Sequence, residues 1–281
     1  MKILFLGDIM GRSGRGLLLQ RIAGLRKRLG ADFVIANGEN AAGGFGITEK
    51  ISENLLDAGV DIITTGNHVW DRREIIPYME REPRVLRPAN FPQGTPGAGY
   101  HLLETATGKR VLTVNLMGRI FMEALDNPFQ VMEEILKHHG LGRNCDAIIV
   151  DFHAEATAEK MAMGHFCDSH VSLVVGTHSH VPTADAQILP GGTAYQTDAG
   201  MCGDYNSVIG MSIDEPLRRF TRSMSSGSFS PALGEATLCG VLIETEDRTG
   251  LAVRIEPLRI GANLAENIPR WEQPEQQRQK A

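Results

Sequence analysis

Five apolar runs rich in β-branched residues dominate the first two thirds of the chain. Runs of this kind are typical of buried parallel strands, which are apolar throughout rather than alternating. Each run ends in polar side chains, and parallel strands present their carboxyl ends at the same edge of one sheet. The runs are KILFLGD, DFVIANGEN, DIITTGNH, DAIIVDFH and VSLVVGTHSH. We therefore expect one shared edge to carry Asp8, Glu39, Asn40, Asn67, His68, His153, His178 and His180.

The segments between and after these runs predict the class of fold. Apolar residues at helical spacing predict helices over 14–29 and 48–58, so the first half alternates strand and helix as parallel sheets do. The second half adds a predicted hairpin over 237–256, which favours antiparallel pairing. We therefore expect an α/β protein with two mixed sheets packed face to face and helices outside, rather than a single Rossmann sheet.

Neither an internal repeat nor a linker divides the sequence. The stretch 223–230 is rich in serine and predicts a mobile surface loop, whereas the end of the chain lacks apolar periodicity. We expect a single domain over residues 1–268 and a polar C-terminal tail over residues 269–281.

The charge balance argues against long nucleic acid as a partner. The 281 residues carry a formal net charge of −6, and no block of Lys and Arg appears that would follow a phosphate backbone. A small anionic substrate stays open, because bound divalent cations would be the largest local charges at a site. The composition, 42% hydrophobic and 22% charged, is that of a folded soluble protein.

The cysteines and the apolar runs bear on the compartment. The four cysteines show no C-x-x-C pair, so neither a disulfide scaffold nor a thiolate zinc site is indicated. No signal-peptide pattern opens the chain, and no apolar run approaches the ~20 residues of a membrane span. We expect reduced thiols in a cytoplasmic protein that does not insert into membranes.

The motif GTHSHVP carries the strongest local signal, because His178 and His180 stand two positions apart just after a strand. In extended backbone, residues i and i+2 point the same way, so both imidazoles reach one small volume. Two surface histidines are the alternative, but Gly176 and Pro182 on either side favour a shaped loop. We interpret the pair as metal ligands.

The motif TTGNH supplies two adjacent side chains, Asn67 and His68, which point in different directions and so favour distinct tasks. An amide oxygen is a neutral metal ligand. A histidine that binds no metal can donate a proton near neutral pH. An asparagine in a turn and a histidine at a helix start are the alternative.

Two of the apolar runs end in acidic side chains. Asp8 and Glu39 carry the negative charge that two cations need, and one carboxylate commonly bridges such a pair. His153 completes the set of expected ligands. Asp151 and Asp198 are candidate partners for a histidine ligand, although solvation at a strand end explains either of them equally well.

The glycines of GDIMGRSGRG resemble a phosphate-binding loop before a helix. The stretch lacks the Lys-Ser/Thr ending of a P-loop and is short of a dinucleotide fingerprint. We therefore interpret the glycines as turn-forming, with phosphate binding as the alternative, and expect Arg12 and Arg15 to be solvated residues at the helix start.

Taken in order, these motifs resemble a known family. An aspartate, an acidic residue, GNH, a further histidine and GxHxH resemble the calcineurin-like metallophosphoesterases. The stretches GDIMGRSGR, NGEN, TTGNHVWD, DFHAEAT and GTHSHVPT are similar to the YmdB-like branch, known as 2′,3′-cyclic-nucleotide 2′-phosphodiesterases. The motifs extend from Asp8 to about Gly203. The resemblance implies a four-layer αββα sandwich and a dinuclear metal-dependent phosphoric diester hydrolase.

The resemblance also implies how two metal ions are held. One ion would be bound by Asp8, Glu39, Asn40 and His180, and the other by Glu39, Asn67, His153 and His178. Met10 stands where the wider superfamily has a histidine ligand, and Asn40 fills the vacated position. Oxygen and nitrogen ligands suit iron, which we expect in preference, or manganese, and they do not exclude zinc.

The implied reaction is hydrolysis of a small phosphodiester, such as a 2′,3′-cyclic nucleotide, to the 3′-nucleotide. By this resemblance, a metal-bridging hydroxide would attack phosphorus in line, and the catalytic residue His68 would protonate the departing alkoxide. Two alternatives stay open: a phosphomonoesterase or protein phosphatase that uses the same metal pair, and a regulatory RNA-interacting protein with a structural metal site. A homo-oligomer is compatible with the sequence, which does not give the number of subunits.

Overall fold

Strands and helices alternate along most of the chain. The computed structural model describes residues 1–225 and 227–270. Its strands, in chain order, are β1 (Lys2–Leu6), β2 (Asp8–Ile9), β3 (Phe33–Asn37), β4 (Ile62–Thr64), β5 (Tyr100–Glu104), β6 (Arg110–Met117), β7 (Ala147–His153), β8 (Leu173–Thr177), β9 (Gln187–Ile188), β10 (Ala194–Gln196), β11 (Met201–Cys202), β12 (Thr237–Thr245) and β13 (Ala252–Gly261). Its helices are α1 (Gly11–Leu29), α2 (Glu49–Asp57), α3 (Ile75–Arg81), α4 (Pro128–His138), α5 (Thr157–Phe166) and α6 (Asp214–Arg222).

Two mixed sheets form the centre of the structure. The first has the order β13-β12-β1-β3-β4, in which β1, β3 and β4 are parallel and β12 is antiparallel to β1. The second has the order β5-β6-β7-β8-β10-β9, in which β6, β7, β8 and β10 are parallel. A short parallel pair joins β2 to β11. The expected α/β class with two mixed sheets is confirmed.

The two sheets pack face to face, with helices on their outer faces. Phe5 of the first sheet belongs to the same buried cluster as Ile149 and Val175 of the second. The opposite face of the first sheet packs on α1, α2 and α3, and the opposite face of the second packs on α4 and α5. This is the four-layer αββα sandwich that the resemblance implies.

The five polar strand ends do not lie on one sheet, so that prediction is wrong. β1, β3 and β4 belong to the first sheet, whereas β7 and β8 belong to the second. These five strands are buried on both faces, so each run is largely apolar and its pattern does not reveal which sheet the strand joins. The carboxyl ends nevertheless meet: Asn37 Nδ2, at the end of β3, donates to Asp151 Oδ2, in β7, at 3.0 Å. Two sheets therefore form the shared edge.

The glycines of GDIMGRSGRG do more than form a turn. α1 begins at Gly11, earlier than the pattern predicts, and Gly11 has a φ of +59°. An ideal Cβ at Gly14 would lie 1.7 Å from the carbonyl oxygen of Cys202, so glycine lets α1 approach β11. Arg15 is half-buried rather than solvated, because its Nη1 donates to Ala41 O at 2.6 Å.

The last quarter of the chain contains a helix, the serine-rich stretch and the polar tail. α6 is not among the helices that we expect from the sequence, and its buried residue is Pro216. Ser226, within the serine-rich stretch, and residues 271–281, within the polar tail, lie outside the described residues. The mobility of that stretch and the single-domain boundary stay predictions. Among the described residues, no helix has the length and apolar character that crossing a membrane requires.

Candidate metal centre

Acidic and histidine side chains from both sheets converge where the strand ends meet. Two groups have donor atoms that lie within 4.8 Å of one another. The first group is Glu39, His153 and His178, and the second is Asp8, Glu39 and His180. Glu39 belongs to both groups, so one carboxylate stands between two candidate metal positions.

Two amide oxygens complete these groups. Asn67 Oδ1 lies 2.9 Å from His153 Nε2, and Asn40 Oδ1 lies 3.1 Å from His180 Nε2. The structure therefore brings all seven predicted ligands together, with Asn67 beside the first group and Asn40 beside the second. That they bind metal stays a prediction.

One donor atom of the second group is left unsatisfied by the described residues. Among the described residues, Asp8 Oδ1 has no hydrogen-bond partner although it is buried. Burial raises the pKa of Asp8 to about 7, against the opposing charges of His180 and His153. A buried carboxylate oxygen without a partner is costly, and a bound cation removes that cost.

Gly66 leaves the space that the centre needs. An ideal Cβ at this position would lie 2.3 Å from the ring of His153 and 2.4 Å from Glu39 Oε2. Any larger residue would displace two expected ligands. The glycine of the GNH motif therefore has a steric reason that the motif alone does not reveal.

Neighbouring charges and burial shift the pKa values of the side chains in the centre. Burial lowers the pKa of His153, but the charges of Glu39 and Asp8 outweigh burial and raise it to about 9. Burial would raise the pKa of Glu39, but the charge of His153 and a hydrogen bond from it lower that pKa to about 2. Burial, with a contribution from His153, lowers the pKa of His178 to about 3. In the metal-free protein, protons bound to Asp8 and His153 therefore reduce the negative charge that cations would otherwise neutralise.

A hydrogen-bonded chain orients His153. Thr177 Oγ1 donates to Asp151 Oδ1 at 2.7 Å and lies 2.9 Å from His153 Nδ1. Because the hydroxyl proton is committed to Asp151, the oxygen accepts from His153 Nδ1, which leaves Nε2 to face Glu39 at 3.2 Å. Asp151 is thus a partner, through Thr177, of the expected ligand His153.

The two histidines of GTHSH occupy strained backbone. His178 and His180 have φ values of +93° and +64°, in the left-handed region that residues other than glycine rarely adopt. The intervening Ser179 donates from its backbone N and its Oγ to Asp198 Oδ2, at 3.1 and 2.7 Å. The loop is therefore held in an unusual conformation that turns both imidazoles toward the centre.

Sequence reasoning missed Lys160, the buried cation behind this loop. Its Nζ donates to Asp198 Oδ2 at 2.7 Å. A lysine in a helix is ordinarily solvated. The one signal in the sequence is its position on the same face of α5 as the buried residues Met163 and Gly164.

His68 stands beside the centre rather than within it. Its Nδ1 lies 2.8 Å from Asp71 Oδ2, and the ring makes an edge contact with Phe45 at a centroid distance of 5.0 Å. Its backbone N donates to Glu39 Oε2 at 3.2 Å. Asn67 and His68 thus do have different surroundings, as their adjacency predicts.

The chain is similar to other proteins over nearly its full length. The family model described as YmdB-like protein matches residues 4–258. The 2′,3′-cyclic-nucleotide 2′-phosphodiesterase of Bacillus subtilis (strain 168) is 45% identical over 260 residues, which cover 92% of this chain and 97% of that protein.

Two crystal structures share the fold. A hypothetical protein from Thermus thermophilus has a TM-score of 0.86 and 41% identity, covering 94% of this chain and 100% of that one. A novel phosphatase from Mycoplasma pneumoniae has a TM-score of 0.86 and 36% identity, covering 93% of each chain. The resemblance drawn from the motifs is confirmed: the chain belongs to the YmdB-like family.

Proposed function

We propose that this protein is a metal-dependent phosphodiesterase that hydrolyses 2′,3′-cyclic nucleotides to 3′-nucleotides. The observation that carries the proposal is the pair of ligand groups that share Glu39. Such a pair is the usual arrangement for displacement at phosphorus. The name of the Bacillus subtilis relative supports the choice of substrate.

Two metal ions would be held by the residues already described. Asp8, Glu39, Asn40 and His180 would hold one, and Glu39, Asn67, His153 and His178 the other. The donors are oxygen and nitrogen atoms without a thiolate, which suits iron, in preference, or manganese. When bound, the ions supply positive charge that acidifies water and stabilises the charge on phosphoryl oxygens.

The residues of the chain fix how the substrate approaches. Asp8 and Glu39 are buried, whereas the side chains of His178 and His68 are 23% and 28% exposed. A phosphodiester therefore reaches the centre from the side of these two histidines. His178 presents Nδ1 toward His153 Nε2 at 3.1 Å, and its Nε2 lies 3.1 Å from Glu155 Oε2, so the ring is held from both sides.

His68 would donate the proton that the departing oxygen needs. The 2′ oxygen of a ribose leaves as an alkoxide, a poor leaving group that gains most from general acid catalysis. Asp71 engages Nδ1 of His68, so Nε2 is the nitrogen that would carry the proton to the substrate. This role stays separate from metal binding, which the neighbouring Asn67 would serve.

Comparing a diester with a monoester tests the reaction class. The metal-loaded protein should hydrolyse bis-p-nitrophenyl phosphate faster than p-nitrophenyl phosphate. A clear preference for the monoester would favour a phosphomonoesterase or protein phosphatase. A fully metallated protein that is inert on all phosphoesters would favour a regulatory protein with a structural metal site.

A matched pair of variants ties the activity to the shared carboxylate. Glu39→Gln removes the charge common to both groups and should abolish metal retention after dialysis as well as turnover. Glu159→Gln changes another buried acid, which accepts from the backbone N of Arg119 at 3.0 Å, and should leave metal content intact. Equal metal content in both variants would count against the proposed site.

The proposal places the protein in the cytoplasm. The cysteines Cys145, Cys167, Cys202 and Cys239 are all free and buried, which suits a reducing compartment.

A further inference from the structure

An apolar cavity of about 260 Å³ adjoins the candidate metal centre. Glu39, Asn40, His178 and His180 line part of it, together with His68. Apolar side chains that have no part in the reaction proposed above complete its lining, and we call them the apolar wall. It includes Phe45, Ile209, Met211, Pro216, Phe220 and Phe229. The cavity therefore continues from a polar reaction centre to an apolar wall.

Phe220 presents an aromatic ring at the opening of this cavity. It lies on α6 and is 84% exposed, although exposing a large aromatic side chain to water is unfavourable. Pro216, one turn earlier on α6, is buried against the same cavity. α6 thus contributes two apolar side chains to the cavity, one buried and one exposed to solvent. This arrangement is expected where a flat apolar group binds.

Polar contacts fix the wall around Phe220. The Cζ atom of Arg219 lies 3.9 Å from the centroid of the Phe229 ring, and Arg219 Nε donates to Glu215 Oε1 at 2.7 Å. Arg219 Nη2 also donates to Gly227 O at 2.9 Å. Phe229 is therefore held against α6, so the cavity is formed before any ligand enters.

Ile209 links the apolar wall to the metal centre. Its φ of +47° is unusual for a β-branched residue, and its carbonyl oxygen lies 2.7 Å from His180 Nδ1. The same strained residue therefore orients an expected metal ligand and contributes a side chain to the cavity. A strained backbone conformation persists only where the surrounding structure holds it in place, and such residues are common at functional sites.

We propose that this cavity holds the nucleobase of the substrate, with the base stacked on Phe220 while its phosphate lies at the metal centre. This inference rests on the proposed function. Aromatic side chains bind every base through its π face, so stacking tolerates different bases. The described side chains of the apolar wall carry no N–H or O–H groups, so the subsite would select a flat ring without distinguishing one base from another.

The test compares substrates that differ only in the base. We would measure kcat/KM of the metal-loaded protein for adenosine 2′,3′-cyclic phosphate, uridine 2′,3′-cyclic phosphate and methyl riboside 2′,3′-cyclic phosphate, which has no base. Both nucleotides should exceed the base-free compound by about tenfold, mainly through a lower KM, because stacking of one base contributes a factor of this size.

Variants on one helix assign that preference to the aromatic ring. Phe220→Ala should bring the ratio of nucleotide to base-free kcat/KM close to one, and Phe220→Leu, which keeps an apolar side chain, should give an intermediate ratio. Leu217→Ala, a half-exposed position on α6, is the matched control and should keep the wild-type ratio. A ratio that Phe220→Ala does not change would overturn the assignment.

Other outcomes separate this inference from the function on which it rests. If the wild type hydrolyses all three compounds equally, the subsite is refuted but the phosphodiesterase stands. If none is hydrolysed, the function fails, and calorimetry with adenosine 3′-phosphate and ribose 3-phosphate decides the subsite. Equal affinities there would refute it. A preference between the two bases that exceeds the preference over the base-free compound would contradict recognition by stacking alone.

Discussion

Lys160 and Asp198 form a buried ion pair, with Lys160 Nζ 2.7 Å from Asp198 Oδ2. The exposed fraction is 1% for Lys160 and 0% for Asp198. The same carboxylate oxygen accepts both hydrogen bonds from Ser179, between the histidines of GTHSH. A cation from α5 therefore contacts the loop that carries His178 and His180, and we expect Lys160 to act as a positioning residue for the candidate metal centre.

Replacing Lys160 with methionine should lower the free energy of unfolding by about 3–5 kcal/mol, because it leaves a buried carboxylate without its cation. Urea denaturation of the metal-free protein measures the loss. Lys109→Met is the control: this partly exposed lysine lies 3.5 Å from Asp247 Oδ1 and should contribute at most about 1 kcal/mol. Similar losses in the two variants would contradict the structural role of the buried pair.

Thr177→Val should weaken metal binding by about 10–100-fold, because it removes the hydrogen bond that orients His153. Metal titration followed by calorimetry measures the affinity. Thr113→Val makes the same change at a buried hydroxyl that has no hydrogen-bond partner among the described residues. That control should bind metal as the wild type does, and a matching loss there would point to a general packing effect.

His68→Ala should keep both metals but lower kcat by about 10²–10⁴-fold on a cyclic nucleotide, whose leaving group is an alkoxide. The loss should be much smaller on bis-p-nitrophenyl phosphate, whose leaving group needs no proton. Asp71→Asn, which alters the partner of His68 Nδ1, should have a smaller effect in the same direction. Equal losses on both substrates would remove His68 as the proton donor.

Metal affinity should rise with pH. Metal ligands bind in their deprotonated forms, and in the metal-free protein the pKa of Asp8 is about 7 and that of His153 about 9. Both shifts are upward, so protons compete with the metal below these values, and binding should strengthen by more than about tenfold from pH 6 to pH 8. Calorimetry at several pH values, in buffers of different ionisation enthalpy, would also count the released protons. An affinity that does not change over this range would contradict the proposed ligand set.

The residues that the sequence predicts are those that end a strand. Asp8, Glu39 and His153 follow buried apolar runs, and the chain has to leave the core at those points, so their shared location follows from topology. The sequence does not predict which sheet each of these strands joins, because all five strands are buried on both faces. The division of one expected edge between two sheets required the structure.

The residues that the sequence does not predict act from helices and loops. Lysine is a residue type that is usually exposed to solvent, so residue type alone gives no reason to expect Lys160 in the core. Its burial depends on the ion pair with Asp198, which is distant in the sequence. α6 lacks a buried apolar stripe, because its Phe220 faces the cavity rather than the core. Apolar residues do recur at helical spacing here, at Ile213, Leu217 and Phe220, but such spacing does not distinguish a face that packs on the core from one that lines a cavity.

The most direct test of the central claim is the position of the phosphate in the product. The metal-loaded protein would be mixed with adenosine 2′,3′-cyclic phosphate and followed by ³¹P NMR, with Glu39→Gln as the inactive control. We predict that adenosine 3′-phosphate accumulates as the product, because the 2′ bond breaks. Accumulation of adenosine 2′-phosphate, or no hydrolysis by protein with both metals bound, would contradict the account.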